Sequence, residues 1–144
     1  MNRTTAREIA VQILFGDRFS DVNLDDFLSE EHFDALSEEC SLYKGSGAGE
    51  QAEYIRSIIE HYRSHALEID GIISEYSKTR AINRISGTAL AVLRCALTEI
   101  LYLEDVPDAA AINAAVEIDK GYDEEETVSF VNGILGSFMR SRNE

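Results

Sequence analysis

The sequence predicts an all-α fold: a single domain spanning residues 1–144, built from about six or seven helices. Three observations lead there. Apolar residues recur three and four apart through most of the chain. No segment alternates apolar and polar residues long enough for a strand. The breakers fall between the periodic segments, with Pro107 the one proline and most of the nine glycines at segment ends. A chain of 144 residues buries roughly 70% of its unfolded surface. With 44% hydrophobic side chains it has the material for a core without disulfide or metal staples.

Each element has its own signal. Thr5 and Glu8 fit a Thr-x-x-Glu capping box, and Ala6, Ile9, Ala10, Ile13 and Leu14 follow as one apolar face. Gly16 to Asn23 is a stop and turn. A weaker helix begins near Leu24, with Phe27, Leu28, Phe33 and Leu36 slipping phase. Lys44 to Gly49 is a glycine-rich surface loop. Ile55, Ile58, Ile59, Tyr62, Ala66, Ile69, Ile73 and Tyr76 then keep one helical phase. Gly71 and Ser64–His65 are the places for a kink or split, since an interior glycine costs about 1 kcal/mol against alanine. From Thr88 to Leu103 apolar residues surround the axis, which predicts a central, buried helix. Asp105 to Asp108 breaks it, and a helix over Ala109–Lys120 follows, ended by Gly121 in a left-handed conformation. Asp123 to Glu126 suits the positive end of the last helix, whose buried face is Val128, Val131, Leu135 and Phe138.

Thirteen Lys and Arg against 27 Asp and Glu give a net charge of −14. Such a surface repels nucleic acid and anionic membranes on average, so any anionic partner must meet a local basic patch. The acids are unevenly spread. Residues 77–98 hold Lys78, Arg80, Arg84 and Arg94 without an acid, and the first twenty residues hold Arg3, Arg7 and Arg18 against Glu8 and Asp17. These segments are either an anion-facing surface or the ordinary unevenness of short windows. Arg94, inside the apolar helix, is expected to pair with Glu99 or Glu117, because a buried unpaired charge is costly. Two cysteines, Cys40 and Cys95, make no disulfide framework. No apolar run approaches the ~20 residues of a membrane span, and no signal peptide opens the chain, so a soluble cytoplasmic protein is expected.

Chemical motifs fail one by one. Asp21-x-Asn23-x-Asp25 begins like an EF-hand loop, but Asp26 and His32 stand where glycine and glutamate are needed. His61 and His65 are four apart, without the glutamate or third ligand of a zinc motif, and are expected as a solvated or hydrogen-bonded pair. Gly45-x-Gly47-x-Gly49 follows no strand and lacks the Gly-Lys-Ser/Thr ending of a phosphate loop. Cys95 is a small core residue without a neighbouring histidine. A binding protein is expected, with no enzyme activity, no cofactor and no metal.

Three segments resemble the NusB family. Arg3, Ala6, Arg7, Ala10, Gln12, Leu14 and Phe15 match its Arg-x-x-Ala-Arg-x-x-Ala-x-Gln-x-Leu-Tyr opening. Arg84-Ile85 and then Val92-Leu93-Arg94-Cys95-Ala96-Leu97-x-Glu99-Ile100 resemble its central helix. Val106-Pro107, Ala111-Ile112-Asn113 through Lys120, and Phe130-Val131-Asn132-Gly133-Ile134-Leu135 resemble its C-terminal half in order and spacing. Residues 20–50 carry none of it. The resemblance implies two small helical bundles packed together and a role in transcription antitermination. It implies a heterodimer with the ribosomal protein NusE, boxA-type single-stranded RNA of ribosomal RNA leader transcripts as ligand, and a place in the RNA polymerase antitermination complex. Carried over by position, Arg3, Arg7, Tyr122 and Phe130 would contact RNA, and Glu126 and Arg80 would face NusE.

Residue chemistry leaves alternatives beside these roles. Phe130 is off-phase from its helix's buried stripe, which suits a surface contact or a second packing face. Arg3 and Arg7 can reach phosphates or form a solvated helix start. The chain also departs from the family: Thr4 and Thr5 thin the opening arginine cluster, Arg80 stands where tryptophan is common, and Ala89-Leu90 replaces an acid–base pair. A protein-only interaction module of the same fold, or a homodimer covering its own RNA surface, is the alternative.

Overall fold

Asn2 starts the first helix. Its side chain accepts the Thr5 amide at 2.8 Å, and α1 runs Arg3–Gly16. The computed structural model describes residues 2–29, 32, 49–104 and 106–143, and every regular element among them is helical. The expected Thr5–Glu8 capping box is therefore not the start: Thr5 lies inside the first turn. Asparagine is among the best capping residues, and beginning there adds a turn to the helix. The apolar face is as the spacing predicts, with Ala6, Ile9, Ala10, Ile13 and Leu14 buried. Expectations for Phe33, Leu36, Cys40, residues 44–48 and Asp105 lie outside the described residues.

The chain divides into two compact units at Glu60–His61. In the first, α1 is followed by α2, Leu24–Phe27, a single turn capped by Asn23 through the Asp26 amide at 3.0 Å. α3, Glu50–Ser64, enters from Gly49, whose φ of +88° suits a residue without Cβ. Ile55, Ile58 and Ile59 of α3 are fully buried. Arg56 of α3 meets Asp25 of α2 at 3.0 Å. That contact gives Asp25 a structural partner, and Asn23 is spent on a helix cap.

The second unit begins in the last turn of α3. The expected split falls at His65, where φ of −127° leaves the helix, and α4 resumes over Ala66–Tyr76. α4 continues through Gly71 without a break. A short 3-10 turn, Ile82–Arg84, leads to α5, Gly87–Tyr102, capped by Ser86 through the Ala89 amide at 3.1 Å. α6 spans Asp108–Lys120 and α7 spans Glu125–Arg142. α5 packs against α4, α6 and α7, and α4 also packs on α7. The central helix is buried almost all round, Cys95 included. Ala89 and Leu90 belong to that buried set, so the apolar pair supports packing.

Two local expectations are corrected here. Gly121 is right-handed, with φ of −78°, because α6 ends by tightening its turn: the Gly121 amide reaches the Ile118 carbonyl at 3.0 Å. Arg94 is paired, but with Asp70 of α4, its Nε and Nη2 each 3.0 Å from a carboxylate oxygen. Glu99 is five residues along α5, on another face, and Glu117 is held by Lys120 at 2.7 Å. The Tyr62 hydroxyl donates to Asp70 from 3.1 Å, and the Tyr62 ring lies under the Arg94 guanidinium at 5.1 Å.

Candidate nucleic-acid interface

In the first unit the candidate residues sit on α1. A cation in the first turn opposes the helix dipole, so Arg3 needs compensation, and it has three sources. Its guanidinium lies 4.1 Å from the Tyr54 ring centroid, its Nε donates to Gln51 Oε1 at 2.9 Å, and its Nη2 is 3.8 Å from Glu50. The side chain keeps 24% of its surface exposed. Arg3 is therefore a held, partly accessible cation and not a solvated helix start. Arg7, one turn on, is half-buried and engaged with a neighbour.

The other end of α1 carries a group that reading along the sequence does not assemble. Phe15 and Phe19 are exposed, Phe19 to 75%, and meet edge-on at 6.0 Å. The Arg18 guanidinium lies over both, 5.4 and 5.6 Å from their centroids. Aromatic faces beside a guanidinium are what single-stranded nucleic acid stacks on. The signal is there as Phe15-x-x-Arg18-Phe19, with neighbours three and four apart. Gly16, read as a stop, hides it.

In the second unit, three predicted residues converge. Arg80 places its guanidinium 4.7 Å from the Phe130 ring centroid and its Nη2 3.4 Å from Glu126. Phe130 is half-buried under that cation, between the two readings of it as surface contact and packing face. Glu126 is 87% exposed. It shares the start of α7 with Glu124 and Glu125, also exposed. Behind Arg80, Ser74, Ser77, Lys78 and Thr79 border an open groove of about 490 Å³. Tyr122, half exposed in the corner between α6 and α7, is not part of this contact set.

The same corner holds a carboxyl group that sequence reasoning passes over. Asp119 is fully buried on α6, and burial together with the adjacent Asp123 carboxylate pushes its carboxyl up to about 7. Among the described residues no three His, Cys, Asp or Glu side chains converge as a metal site requires. The two histidines expected as a pair stack on Tyr102, and His65 Nδ1 lies 2.9 Å from the His61 carbonyl. No described helix is long and apolar enough to cross a membrane.

The NusB family model matches residues 4–140. A relative from Alkaliphilus oremlandii, called Transcription antitermination protein NusB, is 38% identical over 96% of this chain and 94% of its own length. One of the same name from Thermoanaerobacter sp. is 39% identical over 97% and 91%. Among solved structures, T. maritima NusB superposes with a TM-score of 0.74 at 30% identity, covering 95% of this chain and 89% of that one. A crystal structure of antitermination factors NusB and NusE in complex with dsRNA matches in fold, with a TM-score of 0.75 at 24% identity and 96% of both chains covered.

Proposed function

Because the chain belongs to the NusB family, we propose that it is a transcription antitermination factor that pairs with ribosomal protein NusE and binds boxA-type RNA of ribosomal RNA leader transcripts. The family is one of antitermination factors, not enzymes. The observation that carries the RNA half is α1: Arg3 held on Tyr54 at one end, and an exposed Phe15–Phe19 pair under Arg18 at the other. On a chain of net charge −14 these are local cations, Arg3 partly offset by Glu50 at 3.8 Å. Arg3 and Arg7 would meet phosphates, and a guanidinium already positioned loses little freedom on binding. Tyr122 and Phe130 would supply the aromatic contacts of the second unit. Glu126 and Arg80 would face NusE, whose basic surface suits the exposed Glu124–Glu126 row. The action belongs in the cytoplasm, within the RNA polymerase antitermination complex.

Fluorescence anisotropy with a boxA-type RNA, with and without NusE and across a salt series, tests this. NusE should tighten binding by adding basic surface. The Arg3→Ala, Arg7→Ala variant should bind more weakly, with a salt slope shallower by about 1.4, the single-strand value for two lost phosphate contacts. Equal RNA affinity with and without NusE would overturn the heterodimer mechanism. No RNA binding under either condition would favour the protein-only module.

A further inference from the structure

The α6–α7 corner contains two carboxyl groups that neither the RNA nor the NusE reading uses. Asp119 has no exposed surface, and neither of its carboxylate oxygens has a hydrogen-bond donor. Asp123 hangs from the same turn. Its amide donates to the Asp119 carbonyl at 2.9 Å, its Oδ1 accepts from the Ser86 hydroxyl at 3.2 Å, and its Oδ2 is buried without a donor. The Asp123 carboxylate acts on the Asp119 carboxyl and, with burial, favours its protonated form. Two ionised carboxylates so placed repel strongly out of water, whereas a single proton turns one into a donor for the other.

The surrounding groups leave that proton in charge. From α5 the facing group is the Ser86 hydroxyl, which does not titrate. Arg84 lies exposed in the 3-10 turn before it. On α6 the Lys120 ammonium is taken by Glu117 at 2.7 Å. From α7 the contributions are the exposed carboxylates of Glu124 and Glu125, which add like charge.

We propose that Asp119 and Asp123 hold one proton between them as a lock on the α6–α7 corner, and that its loss loosens the corner and the first turn of α7. Ser86 ties the lock to the N-terminus of the central helix, and Tyr122, Glu126 and Phe130 stand on the segment it controls. The lock operates whatever that face binds.

Carbon NMR of the aspartate side chains in the full chain, followed from pH 5 to 9, reads it directly, alongside amide-exchange protection factors corrected for intrinsic rates. One aspartate should titrate near pH 7. Protection at Tyr122 and Asp123, whose amides both bond to the Asp119 carbonyl, should fall at least tenfold through the same midpoint. Asp119→Asn, which supplies a permanent donor to Asp123, should remove that pH dependence. Aspartates that all titrate below pH 5, or a midpoint near 7 with unchanged corner protection, would overturn the proposal. The wild-type titration decides it even if the variant does not fold.

Discussion

Single side chains carry two consequences that can be measured without any ligand. Asp70 is held by Arg94 and Tyr62 together, with 15% and 28% of the Arg94 and Asp70 side chains exposed. Removing one partner of such a pair leaves the other charge desolvated, so Asp70→Asn should cost about 3 kcal/mol in denaturant unfolding. Tyr62→Phe keeps the ring under Arg94 and loses a hydrogen bond to a charged group, so about 1.5 kcal/mol is expected. Asp119 gives a pH dependence of definite sign. Its carboxyl would release its proton near 3.8 in the unfolded chain and holds it to about 7 in the fold. Between those values the folded state binds more protons, so the Asp119 contribution falls as pH rises, by up to about 1.4 kcal/mol per unit, and levels off above 7. Thermal midpoints should show Asp119→Asn gaining on the wild type at pH 8 relative to pH 4.5. Equal differences at both pH values would contradict the assignment.

At the scale of elements, periodicity locates the helices and misses how they begin and end. Ile55 to Tyr76 reads as one phase because the apolar spacing continues across the break, yet the backbone leaves the helix at His65 and stays helical through Gly71. A cap is one hydrogen bond, and Asn2 and Thr5 both offer one. Choosing between them depends on where the buried face must start, which the pattern does not state. Gly71 makes this testable. It is exposed in the interior of α4, and a Cβ added there would meet nothing within 4 Å, so alanine fits without strain. Gly71→Ala should raise stability by about 0.5–1 kcal/mol, read as a higher melting temperature. A loss would mean that the position needs its backbone freedom.

For the whole molecule, long-range pairings are the illegible part. Arg80 and Phe130 are fifty positions apart, and Arg94 and Asp70 twenty-four. Composition fixes no such pairing: charge patterning singles out Arg80 and helical phase Phe130, and the resemblance adds Glu126, but none of these brings the three together. What composition does supply is the field. A net charge of −14 acts on every approaching molecule before any contact forms. It opposes RNA, which under the proposed function would have to find the few cations at the ends of α1, and attracts a basic protein. Attraction of that kind raises the association rate more than the lifetime of the complex, and salt screens it over a Debye length of about 10 Å at 0.1 M. Stopped-flow association with NusE should therefore slow about tenfold or more between about 0.05 and 0.5 M NaCl, while the dissociation rate changes little. A Glu124→Gln, Glu125→Gln, Glu126→Gln variant should flatten that dependence by removing the exposed row at the start of α7. An association rate indifferent to salt would place NusE on an apolar face and leave the acidic row as solubility alone.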